Sequence, residues 1–288
     1  MTTAASTPLP TPSPAGRNLP VALAVGVLAF VAVAGGLLFI PWLFIAVIGV
    51  ALCLAVVELD RALQRKGMHA SAIPILVGTG VSFVGGYAVS LFEFGLTPVE
   101  FVMVCVAATM LASLVARLSK GPEGFMRDAA ASGFIIAYIP LMGVFVPLLL
   151  GADNGPVRLA VLISCVVVSD VSAYAVGSQL GRHKMAPLIS PSKTWEGLMG
   201  SVLFAGIAGM LSAIFLLGTL WWVGLVLGFA LALAGTLGDL VESLIKRDAG
   251  IKDMSNFLPG HGGVMDRLDS MLVAVPVGWL ILHLALGA

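Results

Sequence analysis

Residues 238–270 read GDLVESLIKRDAGIKDMSNFLPGHGGVMDRLDS, a densely charged stretch that lies between two apolar segments. The whole chain of 288 residues is 59% hydrophobic and only 10% charged, so this concentration of charge needs a reason. Ionisable side chains next to a membrane span are costly and usually mark a functional site. We therefore take this stretch as the first place to look for chemistry.

The spacing of its polar residues predicts two polar helical faces. Four residues recur at i, i+3, i+4 and i+7, which places them on one side of a helix; they are Asp239, Glu242, Ser243 and Lys246. A second set begins the next apolar segment with the same geometry: Asp266, Asp269 and Ser270. Carboxylates in such positions suit a hard cation such as Mg²⁺.

Basic residues and a glycine-rich turn separate the two faces. Lys246, Arg247 and Lys252 can bind phosphate oxygens, and the turn at residues 259–263 (PGHGG) lets backbone N–H groups approach an anion at a helix start. This combination favours a site for a metal–nucleotide complex. A plain positive-inside loop would explain the basic residues but not the carboxylates at the helix ends.

The composition predicts a multi-pass membrane protein. Mean hydropathy is +1.07, and the uninterrupted apolar runs exceed the ~20 residues that a helix needs to cross a bilayer. Net charge is zero, so no bulk field attracts nucleic acid. The three cysteines all lie in apolar segments and form neither a disulfide framework nor a CxxC metal site. Glycine-rich spans also allow a homodimer.

We predict an all-α polytopic protein with about nine transmembrane helices. A disordered tail, residues 1–17, precedes spans one to six in residues 18–180 and a catalytic region in residues 181–288. The apolar runs place the spans as follows: two within 18–57 separated near Pro41, then 73–91, 99–116, 129–150, 157–178, two within 197–238 separated near 218–222, and 264–286.

The distribution of positive charge predicts the orientation. With a cytoplasmic N-terminus, 14 of the 15 Lys and Arg residues fall on the cytoplasmic side, and only Arg158 falls outside. The C-terminus is then outside, and the polar loops 181–196 and 246–263 face the cytoplasm. Spans six, eight and nine would then form a cleft at the cytoplasmic face of the cell membrane.

Three further polar groups lie upstream. Asp170 shares a helical face with Tyr174 and Gly177, either as a wall of the site or as a hydrogen-bond partner of another span. Ser192 and Thr194 suit a helix cap and Lys193 suits a phosphate, although a positive-inside loop with an ordinary cap explains them as well. The charged segment from Glu58 to Lys66 reads as a solvated helix end.

The run Ser243-x-x-Lys246-Arg247-x₄-Lys252-Asp253-x₅-Pro259-Gly260-His261-Gly262-Gly263-x-x-Asp266-Arg267-x-Asp269 resembles the signature of the phosphatidate cytidylyltransferases. The similarity extends upstream to Ser169-Asp170 and to the run from Ser190 to Gly197. The resemblance implies that CTP and phosphatidic acid react to give CDP-diacylglycerol and diphosphate. It further implies an enzyme embedded among membrane lipids that uses Mg²⁺, with K⁺ as a candidate second cation.

Within that resemblance we assign the following roles. Asp239 and Asp266 hold the metal, with Asp269 as a support or a further ligand. The catalytic residues are Lys246, Arg247, Lys252, Asp253, His261, Arg267 and Asp269. The substrate-binding residues are Asp170, Ser192, Lys193, Thr194, Gly260, Gly262 and Gly263. Two alternatives remain: a CTP-dependent kinase of a polyprenol-type lipid, and an ion-coupled transporter that uses Asp170 and Asp239.

Overall fold

The computed structural model describes residues 19–92, 95–257 and 262–287. Its helices are α1 (Leu19–Phe39), α2 (Pro41–Gln64), α3 (Ala72–Leu91), α4 (Pro98–Arg117), α5 (Phe125–Tyr138), α6 (Pro140–Gly143), α7 (Phe145–Leu150), α8 (Gly155–Leu180), α9 (Trp195–Phe215), α10 (Trp221–Asp248) and α11 (Met265–Leu286). A short 3₁₀ turn, Leu118–Lys120, follows α4. Two strands, β1 (Lys184–Ala186) and β2 (Ser190–Thr194), lie between α8 and α9.

The prediction of an all-α polytopic membrane protein is confirmed. Eight helical segments in the described part of the chain are long and apolar enough to cross a membrane, and they correspond to predicted spans two to nine. A shorter apolar helix, Gly26–Phe39, lies within α1 at the place of the first predicted span. The predicted tail lies outside the described residues. The orientation and the division at residue 180 stay predictions.

The fifth span is a broken helix rather than a continuous one. Proline has no N–H to donate and disfavours helical backbone in the residue before it, so α5 ends at Tyr138 and a new turn begins at Pro140. The segment from Phe125 to Leu150 is the most buried of the eight candidate spans. Irregular backbone is tolerated at membrane depth where protein surrounds it.

Helices α9 and α10 form an antiparallel pair held at backbone contact. A Cβ atom on Gly224 would lie 2.0 Å from the Gly209 carbonyl oxygen, and one on Gly228 would lie 2.0 Å from the Ala205 carbonyl oxygen. Glycine at these positions is what permits the approach, as in other tightly packed membrane helices. Helix α8 packs on α9, and α11 packs on α10, which completes the C-terminal half of the bundle.

The predicted loop 181–196 contains a small antiparallel hairpin. Lys184 pairs with Thr194 and Ala186 with Ser190, with an irregular register between the two pairs. This hairpin departs from the purely helical prediction. It closes over one end of α8, α9 and α10, and the residues that form a polar cavity collect there.

Candidate active site

A cavity of about 540 Å³ opens between α8, α9, α10 and the hairpin. Its size is in the range of small-molecule sites. Its lining includes Asp170, Tyr174, Gly177, Lys184, Ser192, Lys193, Thr194, Gly197, Thr236 and Asp239. Spans six, seven and eight line this cavity. The cleft predicted between spans six, eight and nine stays a prediction, and Ser270 of span nine contacts the cavity wall at Asp170.

Helix α8 provides the first wall of the cavity. Asp170, Tyr174 and Gly177 all line it, as their helical spacing predicted. The Asp170 side chain is exposed, and its Oδ2 accepts a long hydrogen bond of 3.4 Å from the Ser270 hydroxyl of α11. So long a bond is weak, which leaves this carboxylate available to a ligand.

Strand β2 and the start of α9 provide the second wall. Thr194 caps α9: its Oγ1 accepts a 3.2 Å hydrogen bond from the Gly197 N–H, which confirms the predicted cap. Ser192 and Lys193 precede it and both line the cavity. The Lys193 ammonium group forms an ion pair with Asp239 across the cavity, so β2 and α10 are joined at this point.

A second lysine connects α10 to α11. The Lys246 ammonium group lies 2.8 Å from Asp266 Oδ1 and also forms an ion pair with Glu242 one helical turn earlier. The Glu242 side chain is fully buried, and neither of its carboxylate oxygens accepts a hydrogen bond of good geometry from a described residue. The polar face predicted from the spacing of Asp239, Glu242 and Lys246 is thus realised on α10.

Asp266 organises the loop before α11. Its Oδ2 accepts hydrogen bonds from the Gly263 N–H at 2.8 Å and the Met254 N–H at 3.0 Å, so the chain on both sides of residues 258–261 folds towards one carboxylate. Asp269, one turn later, is buried; its Oδ1 accepts a 2.8 Å hydrogen bond from the Ser270 N–H. The Asp269 carboxyl also lies within electrostatic range of Asp239 and Glu242.

Glu58 of α2 is a residue that sequence reasoning missed. It is 4% exposed rather than solvated. Its carboxylate accepts hydrogen bonds from the Ser255 hydroxyl at 2.5 Å, the Val264 N–H at 3.0 Å and the Met265 N–H at 2.8 Å. Glu58 therefore caps α11 from a helix some 200 residues earlier. Asp60 is buried as well, so the prediction of a solvated helix end was wrong for both.

The remaining predicted site residues lie either at the same end of the helix bundle as the cavity or outside the described residues. Arg247 is exposed and its Nε donates to the Ile189 carbonyl of the hairpin at 3.2 Å. Lys252, Asp253 and Arg267 are exposed. Gly262 has φ +84° and approaches Asp266, consistent with a tight turn that glycine favours. Gly260 and His261 lie outside the described residues.

The donor set fits a divalent cation held together with substrate. Among the described residues, no three His, Cys, Asp or Glu side chains converge as a self-contained metal cage. Mg²⁺ does not require one, since it commonly binds one or two carboxylates and completes its shell with phosphate oxygens and water. Asp239 and Asp170 line the cavity and place two carboxylates on its walls. These features suit a cation that arrives with an anionic ligand.

The fold and this cavity together define a multi-pass membrane protein with a cavity lined by acidic and basic side chains at one end of its helix bundle. The sequence model of the cytidylyltransferase family matches residues 20–285. The chain belongs to that family.

Relatives cover nearly the same length. A phosphatidate cytidylyltransferase of Mycobacterium leprae (strain TN) is 39% identical over 282 residues, which is 94% of this chain and 89% of the relative. One from Mycobacterium bovis is 37% identical over 281 residues, or 94% and 90% of the two chains. One from Helicobacter pylori is 36% identical over 231 residues, or 80% and 79%.

Proposed function

We propose that this chain is an integral-membrane phosphatidate cytidylyltransferase. It joins CTP and phosphatidic acid to give CDP-diacylglycerol and diphosphate. The observation that carries the proposal is a pair of lysines at one end of the helix bundle, in a chain of the cytidylyltransferase family. Lys193 lines the cavity and is held by Asp239, and Lys246 is held by Asp266.

The reaction needs positive charge more than it needs a base. An oxygen of the lipid phosphate attacks the α-phosphorus of CTP, a new P–O bond forms, and the bond from the α-phosphorus to the bridging oxygen breaks. Diphosphate leaves with the electron pair, and no proton has to be removed from the nucleophile. The main obstacle is repulsion between two anions, which fixed cations offset.

Lys193 and Lys246 supply this charge in the proposed mechanism. Their side chains are 20% and 15% exposed, so each is partly withdrawn from water, where its field on a phosphate is stronger. Asp239 and Asp266 hold the ammonium groups in place before substrate arrives. The exposed Arg247, with Lys252 and Arg267, adds positive charge around this end of the bundle.

The start of α9 offers a second source of stabilisation. Thr194 satisfies the Gly197 N–H, and Gly197 itself lines the cavity next to Ser192. The N-terminal end of a helix favours negative charge, so a phosphate of CTP would be stabilised here. We assign the turn Gly260-His261-Gly262-Gly263 to the triphosphate as well.

Asp239 and Asp266 are the residues that we propose as Mg²⁺ ligands, with Asp269 as a further ligand or a support. A bound Mg²⁺ would neutralise phosphate charge and stabilise the diphosphate leaving group. K⁺ is the candidate for a second cation. Either metal would bind in competition with the ammonium groups that the two aspartates now contact.

The position of the cavity suits a lipid substrate. Tyr174 at its margin is 79% exposed, and Val171 on the same helix is 63% exposed. Such apolar surface would face acyl chains, so phosphatidic acid can enter sideways while CTP enters from water. We place this end of the bundle at the cytoplasmic face of the cell membrane, from the charge bias of the loops.

The test uses the purified protein in detergent with Mg²⁺, phosphatidic acid and CTP labelled at the α-phosphate. We expect label in the organic phase and release of diphosphate. Asp239→Asn should abolish this transfer. Asp248→Asn is a matched control on the same helix. Asp248 is exposed and forms a surface ion pair with Lys66, so this variant should retain activity.

Three outcomes would contradict the proposal or its site. Label that remains aqueous as CDP, together with transfer of a γ-phosphate label to a lipid alcohol, identifies a lipid kinase. Intact CTP with every phosphatidic acid tried removes the substrate assignment. Full activity of Asp239→Asn would leave the reaction standing but exclude this cavity as its site.

A further inference from the structure

A second cavity lies at the opposite end of the bundle from the candidate active site. Its volume is about 330 Å³. The ends of α3, α7 and α11 and the starts of α4 and α8 surround it, whereas the first cavity is formed where α8 and α10 end and α9 begins. Arg158 and Asp170 mark the two cavities on α8, and their 12-residue separation corresponds to about 18 Å along a helix.

The charged group in this second cavity is Arg158, which is only 5% exposed. Its Nη1 donates to the Gly287 carbonyl oxygen at 2.8 Å. Among the described residues, no carboxylate forms an ion pair with it. Asp153 attracts it only from beyond ion-pair distance. A guanidinium group carries five N–H donors, and a buried charge with no counter-charge in contact is costly. The cavity thus offers a buried cation to an anion that enters from outside the fold.

The other walls are suited to a lipid rather than to a soluble ion. Leu148, Leu149 and Trp279 line the cavity, and the Trp279 ring stacks on the His283 ring with centroids 4.9 Å apart. Val99 lies at its edge and is 41% exposed. An inorganic anion gains nothing from apolar walls, whereas a phospholipid places its phosphate on the arginine and its chains along the exposed helices.

We propose that this second cavity is a binding site for the phosphate headgroup of an anionic phospholipid, held by Arg158 in the leaflet away from the candidate active site. The site is separate from the substrate cavity and takes no part in the cytidylyl transfer. Its occupant bridges α3, α4, α7, α8 and α11 at one end of the bundle, so it stabilises the folded protein by mass action.

Quenching of Trp279 fluorescence tests the proposal. The full-length protein is titrated in neutral detergent with phosphatidylglycerol or phosphatidylcholine that carries brominated acyl chains. Trp279→Phe isolates the contribution of this ring from the other four tryptophans. We expect half-maximal quenching of Trp279 at about tenfold less phosphatidylglycerol, equal to about 1.4 kcal/mol of preference, and loss of that preference in Arg158→Gln.

A second variant protects the test against misfolding of Arg158→Gln. Val99→Phe narrows the cavity and leaves the arginine in place, so it should weaken the quenching by phosphatidylglycerol while cytidylyl transfer continues. Equal quenching by both lipids in the wild-type protein would overturn the proposal. Release of the quenching by inorganic phosphate would identify a free-anion site instead. A preference that appears only in Asp153→Asn would show that the chain supplies its own carboxylate to Arg158, which also overturns the proposal.

Discussion

Replacing Glu58 by alanine should disable the candidate active site from a distance. Glu58 does not line the cavity, but its carboxylate accepts hydrogen bonds from the Val264 and Met265 N–H groups at 3.0 and 2.8 Å and from the Ser255 hydroxyl at 2.5 Å. Those contacts fix the start of α11, where Asp266 holds Lys246. Alanine removes the acceptor and leaves both buried N–H groups without a partner.

The expected magnitude follows from those two groups. Each buried N–H without an acceptor costs about 1–3 kcal/mol, and the loop before α11 can recover this energy by opening to water. If the variant favours the open form of this loop over the closed, active form by about 3 kcal/mol, kcat/KM would fall by roughly 150-fold, because only the closed form reacts. Glu58→Gln should have a smaller effect, because the amide keeps one acceptor oxygen but places N–H donors opposite the backbone donors.

The assay is the transfer of α-labelled CTP into lipid, with thermal unfolding recorded in parallel. Asp60→Asn provides the matched control: Asp60 lies on the same helix and is also buried, but its described hydrogen bond comes from Gln64 of that helix at 2.8 Å. Activity should survive in this control. Unchanged activity and melting temperature in Glu58→Ala would refute the reasoning, since the start of α11 would then hold without its cap.

Two other substitutions test the packing around the same cluster. Gly263→Ala would place a methyl carbon 2.8 Å from a Glu58 oxygen and 3.0 Å from Asp266, so we expect a large loss of activity in the CTP assay, whereas Gly80→Ala on α3 meets no atom within 4 Å and should be neutral. The Tyr138 hydroxyl is buried without a hydrogen-bond partner among the described residues, so Tyr138→Phe should leave the melting temperature unchanged or raise stability by about 1 kcal/mol. If Tyr138→Phe instead lost activity at a normal melting temperature, the hydroxyl would act on the carboxylates near it, which are those of Asp269, Glu242 and Asp239.

Much of the fold could be read from the sequence, because membrane helices follow long apolar runs. The third span was predicted at 73–91 and α3 is Ala72–Leu91; the ninth was predicted at 264–286 and α11 is Met265–Leu286. The hairpin at 184–194 was missed because its strands are three and five residues long and carry no apolar alternation. The helix break at Pro140 could have been predicted from the proline itself. We missed it because the apolar residues on both sides of the proline form one continuous run.

In the candidate site, too, contacts within one helix could be predicted from the sequence, whereas contacts between distant segments could not. Helical spacing correctly placed Glu242 and Lys246 on one face of α10, since a period of 3.6 residues fixes neighbours within a helix. The ion pair of Lys193 with Asp239 joins positions 46 residues apart, and spacing along the chain does not encode such a pair. Glu58 was misread because a carboxylate in a charged helix end has the same sequence pattern whether water or a distant helix start surrounds it.

The backbone contact between α9 and α10 has a consequence for how the cavity comes into being during biosynthesis. Lys193 precedes the first of these helices and Asp239 lies near the end of the second, so the two meet only when the chain has crossed the bilayer and returned. With one crossing incomplete, a hydrocarbon layer of ~30 Å would lie between them. This ion pair therefore forms only after both helices have been inserted, and a half-inserted chain lacks the cavity between α8, α9 and α10.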